Sequence, residues 1–199
     1  NPKPLCGFSD ITHLLLAVYA KTGNQCIHGI DVINGFGQAE SILKNNNMHL
    51  FWKNVNNNDA YMDLSNSKVL KSGNGVGVII GGWLNAIHNI IGTEYFPRIN
   101  NMVLFWEAIE EEPNKINMML QSMRLAGIFD HLSGMIVGKL VSCEEKEYFD
   151  CIPDISEIIL DACKGYDFPV VIEAPFGHGE EKSSFTMGKK ITISAEEII

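Results

Sequence analysis

Ser9 stands at a corner of the chain. The short apolar run around Leu5-Cys6 breaks at Gly7, the serine follows at once, and a strongly helical run from Ile11 to Lys21 begins directly behind it. A strand that delivers a serine to a helix N-terminus exposes the hydroxyl. The free N–H groups of the first helical turn then face the place where an oxyanion would form. Ile11 stands where such elbows usually carry a second glycine, and a Ser-Asp pair ahead of an apolar run is also, and more commonly, plain helix capping.

Two other residues occupy positions suited to chemistry. The continuous apolar strand Met102 to Trp106 ends on Glu107, and the carboxyl ends of strands are where α/β folds place their sites. His178 is bracketed by Gly177 and Gly179 on a loop after the strand Phe168 to Ile172, so its imidazole is presented on a backbone that permits close approach. A metal reading built on His28, Asp31 and His178 lacks any recognised ligand spacing. The glycines of Gly73-Asn74-Gly75-Val76-Gly77 open a strand where a dinucleotide loop would have to follow one and open a helix.

The elements needed to position these residues alternate strand and helix, which makes the class α/β. Leu5 to Lys21 reads as strand, elbow and a mostly buried helix carrying Leu14, Leu15, Leu16, Val18 and Tyr19, ended by Gly23; Gln25 to His28 reads as a short strand. The asparagine-rich stretch from Gly35 to about Ser67 reads as a connector with a short helix. Its apolar Met48-His49-Leu50-Phe51-Trp52 segment is either a staple onto a domain face or a substrate-covering loop. Beyond Lys68 come a strand over Val76–Ile80 ended by Gly81-Gly82, a helix over Trp83–Ile91, and the strand reaching Glu107. A solvated Glu110-Glu111-Glu112 turn leads to a helix opened by Pro113, then to a strand over Gly134–Val141 and a helix over Ile155–Cys163. Phe185 to Ile193 reads as a terminal hairpin turning at Met187-Gly188.

With 199 residues, 46% of them hydrophobic, the chain can fill one domain or one domain and part of another. A formal net charge of −9 argues against nucleic acid and anionic membrane surfaces as partners, and no apolar run reaches the roughly 18 residues of a membrane span. Cys6, Cys26, Cys143, Cys151 and Cys163 are odd in number and form no Cys-x-x-Cys pair, which fits reduced thiols and a cytoplasmic location. The chain opens Asn1-Pro2-Lys3-Pro4 without an initiator methionine and reads as part of a longer protein.

Taken together these segments resemble the serine LD-carboxypeptidase family, which includes the microcin C immunity peptidases. The resemblance rests on Gly7-Phe8-Ser9-Asp10-Ile11-Thr12, Tyr19-Ala20-Lys21-Thr22-Gly23, His28-Gly29, Ile80-Gly81-Gly82 and Gly92-Thr93-Glu94-Tyr95-Phe96-Pro97. Leu104-Phe105-Trp106-Glu107, Gly127-Ile128-Phe129, Gly134-Met135-Ile136-Val137-Gly138 and Gly177-His178 continue it through nearly the whole chain. It implies a second, β/α domain (68–199) carrying the glutamate and histidine of a triad. Ahead of that domain it implies a linker (37–67) and the strand–elbow–helix tail (1–36) of a flavodoxin-like first domain. By the same resemblance Ser9 is the nucleophile, His178 the general base, Glu107 the carboxylate orienting it, and the Asp10 N–H one oxyanion donor. The second donor belongs to a glycine-rich segment upstream of the elbow.

The implied activity is hydrolysis of a small amide-linked substrate, either a peptidoglycan-type peptide at a bond between L- and D-centres or a peptidyl-nucleotide antibiotic. In the latter case Trp52 or Trp83 could stack on a base. No cofactor or metal is implied, and a homodimer is, with Met48–Trp52 as a possible contact. This chain departs from the family pattern at Ile30, Trp83, Ala108 and Met118. Those departures keep open an alternative, a catalytically impaired homologue that acts as a binding module.

Overall fold

The structure, a computed structural model, describes residues 3–37, 42–56, 62–144 and 154–196. In chain order the strands are β1 (Leu5–Gly7), β2 (Cys26–His28), β3 (Lys68–Lys71), β4 (Gly73–Trp83), β5 (Met102–Ile109), β6 (Leu132–Val141), β7 (Val170–Ile172), β8 (Phe185–Met187) and β9 (Lys190–Ala195). The α-helices are α1 (Thr12–Thr22), α2 (Ile42–Val55), α3 (Leu84–Ile90), α4 (Pro113–Leu125) and α5 (Ile155–Ala162). Cys151 lies outside the described residues.

The larger sheet runs β3-β7-β6-β5-β4-β9. Its four central strands, β4 to β7, are parallel and joined by α3, α4 and α5, while β3 and β9 close the two edges in antiparallel pairing. Sequential parallel strands joined by right-handed crossovers place their connecting helices on one face. β5 is buried on both faces, which is why Met102 to Ala108 reads as an unbroken apolar run with one carboxylate in it. α4 takes Pro113 at its first turn and turns Ile116, Met119, Leu120 and Met123 inward at helical spacing.

The smaller sheet, β1-β2-β8, ties the serine segment to the rest of the molecule. β1 and β2 are parallel, Leu5 opposite Cys26 and Gly7 opposite His28, and β8 adds antiparallel to β2. Leu15 and Leu16 of α1 join the same hydrophobic core as Leu84 and Trp106. The N-terminal segment is therefore docked on the larger sheet, not free of it.

Several elements depart from the sequence reading. Phe185 to Ile193 is not a hairpin: β8 and β9 pair with different sheets, β8 with β2 and β9 with β4. The connector holds a 14-residue helix, α2, so Met48–Trp52 is helical and not a loop. Gly81 and Gly82 lie inside β4 instead of ending it. Leu14 is half-exposed on α1. Glu111 is not a solvated turn residue. It is buried and accepts a hydrogen bond from Asn85 Nδ2 at 2.8 Å.

Candidate active site

Ser9 sits at the junction of β1 with a single 3-10 turn, Ser9–Ile11, that feeds α1. Phe8 before it is extended, with φ −151° and ψ 161°, and Ser9 itself has φ +54°. A serine held at positive φ stores on the order of 1–3 kcal/mol, which the surrounding packing must supply. The fixing contacts are the Gly29 N–H to the Gly7 carbonyl at 3.1 Å and the Ile11 N–H to the Phe8 carbonyl at 3.1 Å. The resulting sharp turn projects the hydroxyl off the end of β1, with the exposed Asp10 supplying the next N–H of the turn.

His178 Nε2 lies 3.1 Å from Ser9 Oγ, and Nδ1 lies 2.8 Å from Glu107 Oε2. Glu107 is fully buried, while the His178 side chain is 17% exposed. A buried carboxylate against Nδ1 accepts the N–H there and leaves the Nε2 lone pair for the serine proton. A hydroxyl so placed can give up its proton as it attacks a carbonyl.

Three chain segments distant in sequence meet here, and glycine permits the approach. Gly177 has φ +113°, and a Cβ at that position would lie 3.0 Å from Glu107 Cβ and 3.2 Å from Oε2. Gly82 has φ +146°, and a Cβ there would lie 2.4 Å from Thr12 Oγ1. That hydroxyl accepts the Trp83 N–H at 3.1 Å, and Trp83 pairs in register with Glu107, so the helix behind the serine is bonded to the strand beside the glutamate.

Behind these three side chains lies an aromatic layer. The Phe8 ring is 4.5 Å from the His178 ring and 5.5 Å from that of His28. His28 is enclosed by Phe8, Phe105, Phe176 and Phe185. Burial, with a smaller contribution from the nearby His178, pushes its pKa down to about 3. Neither of its ring nitrogens has a hydrogen-bond partner among the described residues, and no group of three His, Cys, Asp or Glu side chains there is placed to hold a metal ion.

The other residues singled out in the sequence separate. Trp83 flanks Glu107, its indole nitrogen buried without a hydrogen bond among the described residues. Trp52 is half-exposed on α2, and its ring contacts are Phe36 and Phe51. Of the departures, Ala108 is buried in β5 next to Glu107, and Ile30 packs with Ile27 and Phe51. Met118 is exposed on α4.

Residues that the sequence reading passed over shape the histidine loop. Asn54 Nδ2 donates to the Ser184 carbonyl at 2.7 Å and the Leu50 carbonyl at 2.9 Å. Asn47 accepts the Lys182 N–H at 3.0 Å and donates to the Glu180 carbonyl at 3.1 Å. The two asparagines are seven apart, two helical turns, and that spacing was the available signal in a stretch that otherwise looks like low-complexity linker.

Comparison with known proteins agrees with this architecture. A family model described as the LD-carboxypeptidase C-terminal domain matches residues 76–193, and one described as the LD-carboxypeptidase N-terminal domain matches residues 1–29. The chain is 26% identical over 223 residues to the microcin C7 self-immunity protein MccF of Escherichia coli, covering 97% of this chain and 63% of that protein. It is 25% identical over 207 residues to a probable murein peptide carboxypeptidase of Bacillus subtilis, covering 99% and 61%. The solved structure of microcin C7 self immunity protein MccF in complex with aspartyl sulfamoyl adenosine superposes with a TM-score of 0.81 at 25% identity, covering 98% of this chain and 65% of that one. The chain thus spans a little over three-fifths of the length of these relatives. Among the described residues no helix is long and apolar enough to cross a membrane.

Proposed function

The chain belongs to the LD-carboxypeptidase family, and from that premise we propose that it acts as a serine-type carboxypeptidase on a small amide-linked substrate, with Ser9 as nucleophile, His178 as general base and Glu107 as the carboxylate that orients the histidine. The observation that supports this most is the continuous hydrogen-bonded line from Glu107 through His178 to a serine at φ +54°.

In this reading Ser9 Oγ attacks the scissile carbonyl carbon as His178 Nε2 takes the hydroxyl proton. The oxyanion of the tetrahedral intermediate accepts the Asp10 N–H. The C–N bond then breaks, and the proton on His178 passes to the leaving nitrogen. Water attacks the acyl-serine with the same imidazole as base, releasing the acid and restoring Ser9. Glu107 holds the Nδ1 side of the ring throughout and stabilises the imidazolium.

Two substrate classes fit the relatives' names. One is a murein-type peptide, as for the Bacillus subtilis relative, and the other is a peptidyl nucleotide resembling the aspartyl sulfamoyl adenosine bound by MccF. Trp83, beside Glu107, and the half-exposed Trp52 are the rings available to a base in the second case. The family resemblance also carries a homodimer, which solution scattering of the full-length protein would read.

The test is Ser9→Ala in the full-length protein, assayed on an L,D-linked tetrapeptide and on an aminoacyl sulfamoyl adenosine. Loss of turnover on whichever substrate the parent cleaves is expected, and retained turnover overturns the assignment.

A further inference from the structure

A cavity of about 530 Å³ opens at the end of the larger sheet away from Glu107 and its partners Ser9 and His178. It lies between the loop that joins α3 to β5 and the turn that joins α4 to β6, with Met102, the first residue of β5, in its wall. Glu107 stands further along that strand, roughly 16 Å away at the rise of an extended chain. The volume falls in the range of sites that hold small molecules, roughly 300–1,000 Å³.

Backbone hydrogen bonds fix both walls. α4 closes on Gly127 at φ +75°, with the Gly127 N–H donated to the Arg124 carbonyl and the Ile128 N–H to the Met123 carbonyl, each at 3.0 Å. That pair of bonds is the common way for a helix to stop on a left-handed glycine. On the other wall the Thr93 hydroxyl donates to the Ile90 carbonyl at 2.7 Å and accepts the Tyr95 N–H at 3.2 Å. Ile91, Phe96, Pro97, Ile99, Met102 and Ile128 supply the apolar lining.

Two side chains of opposite charge interrupt that lining, one from each segment. Arg98, exposed, belongs to the α3–β5 loop, and Asp130 to the turn before β6. The Asp130 carboxylate is oriented: Oδ1 accepts the Tyr166 hydroxyl at 3.0 Å, and a Cβ at Gly127, in the same wall, would lie 3.5 Å from Oδ2. Among the described residues no ion pair joins Arg98 to Asp130. Thr93, Asn100 and His131 add hydrogen-bonding groups. Opposite charges held apart across an apolar surface suit a ligand that carries both on an apolar body. A simple anion would face Asp130, and a simple cation Arg98.

We propose that this cavity binds a small zwitterion with an apolar body, its carboxylate on Arg98 and its ammonium on Asp130. The planar guanidinium matches a carboxylate with two parallel N–H groups, and the apolar lining removes the body of the ligand from water. The site is separate from Ser9, Glu107 and His178, and the proposal does not rest on the hydrolase reading of those residues.

The probe is 6-aminohexanoate, which has both charges and no amide to cleave. Its calorimetric binding to the full-length protein is compared with that of hexanoate and hexylamine, each lacking one charge. The parent is expected to bind the zwitterion about 5- to 20-fold more tightly than either. Arg98→Gln is expected to abolish the preference over hexylamine, and Asp130→Asn the preference over hexanoate. Tyr166→Phe removes the hydrogen bond to Asp130 but spares its carboxylate, and should keep both preferences. Absent binding of 6-aminohexanoate, or equal binding of the three probes by the parent, overturns the proposal. So does either charge variant that keeps the parental preferences. Hexanoate binding more tightly than the zwitterion would make this an anion site and would remove Asp130 from the assignment.

Discussion

Asn54 donates its side-chain amide to the Ser184 carbonyl at 2.7 Å, joining the last turn of α2 to the loop that ends six residues after His178. Its oxygen accepts the Thr186 hydroxyl at 3.2 Å, so one buried amide spans α2, the histidine loop and β8. Replacing Asn54 by Ala leaves the Ser184 carbonyl without its donor, at a cost of about 1–3 kcal/mol. We expect urea denaturation to show that loss, together with a lower kcat as the loop carrying His178 loosens. Unchanged stability would mean that the loop is held by its own contacts.

Gly177→Ala isolates the close approach of that loop to Glu107. The backbone there is at φ +113°, and an added Cβ would press on the Glu107 stem at 3.0–3.2 Å. Strain of about 1–3 kcal/mol is expected in thermal unfolding. The displaced carboxylate should lower kcat more than it raises KM, and a variant with parental kcat would show that Glu107 can give way without losing Nδ1.

Ser9, Glu107 and His178, which the fold brings within hydrogen-bond reach of one another, each stand next to a local backbone signal, but Ser9 alone reads as readily as a helix cap, and it was the family resemblance that joined the three. The α/β class followed from strand–helix alternation. What escaped was long-range. Nothing local tells Phe185–Met187 that β2 is a better partner than β9, because hairpin formation and sheet crossing share the same turn residues around Gly188. The asparagines of α2 have poor intrinsic helix propensity, and they sit in a helix because their amides meet a loop some 130 residues away.

Glu107→Gln keeps the shape of the side chain and removes its charge. A neutral amide can offer its N–H to Nδ1, which stabilises the tautomer with the proton on Nε2 and denies Ser9 its base. A fall in kcat of about 10³- to 10⁴-fold is expected at neutral pH, with KM little altered. A loss under tenfold would remove Glu107 from the orienting role.

His28 should make the protein acid-sensitive. Its pKa falls from 6.5 to about 3 because burial in a cage of four phenylalanine rings penalises the imidazolium, and the nearby His178 adds to the effect. A folded-state value below the unfolded one means that the unfolded chain binds the proton more readily, so the contribution is fully present above pH 6.5 and is lost as pH falls toward 3. At pH 4.5 the loss amounts to about 2–3 kcal/mol. His28→Leu fills the cage with a group that cannot titrate. Guanidinium unfolding at pH 7 and pH 4.5 should show the parent losing that much more stability than the variant across the interval. Equal losses in the two proteins would mean that His28 is protonated in the folded state, and that the cage admits charge beside His178.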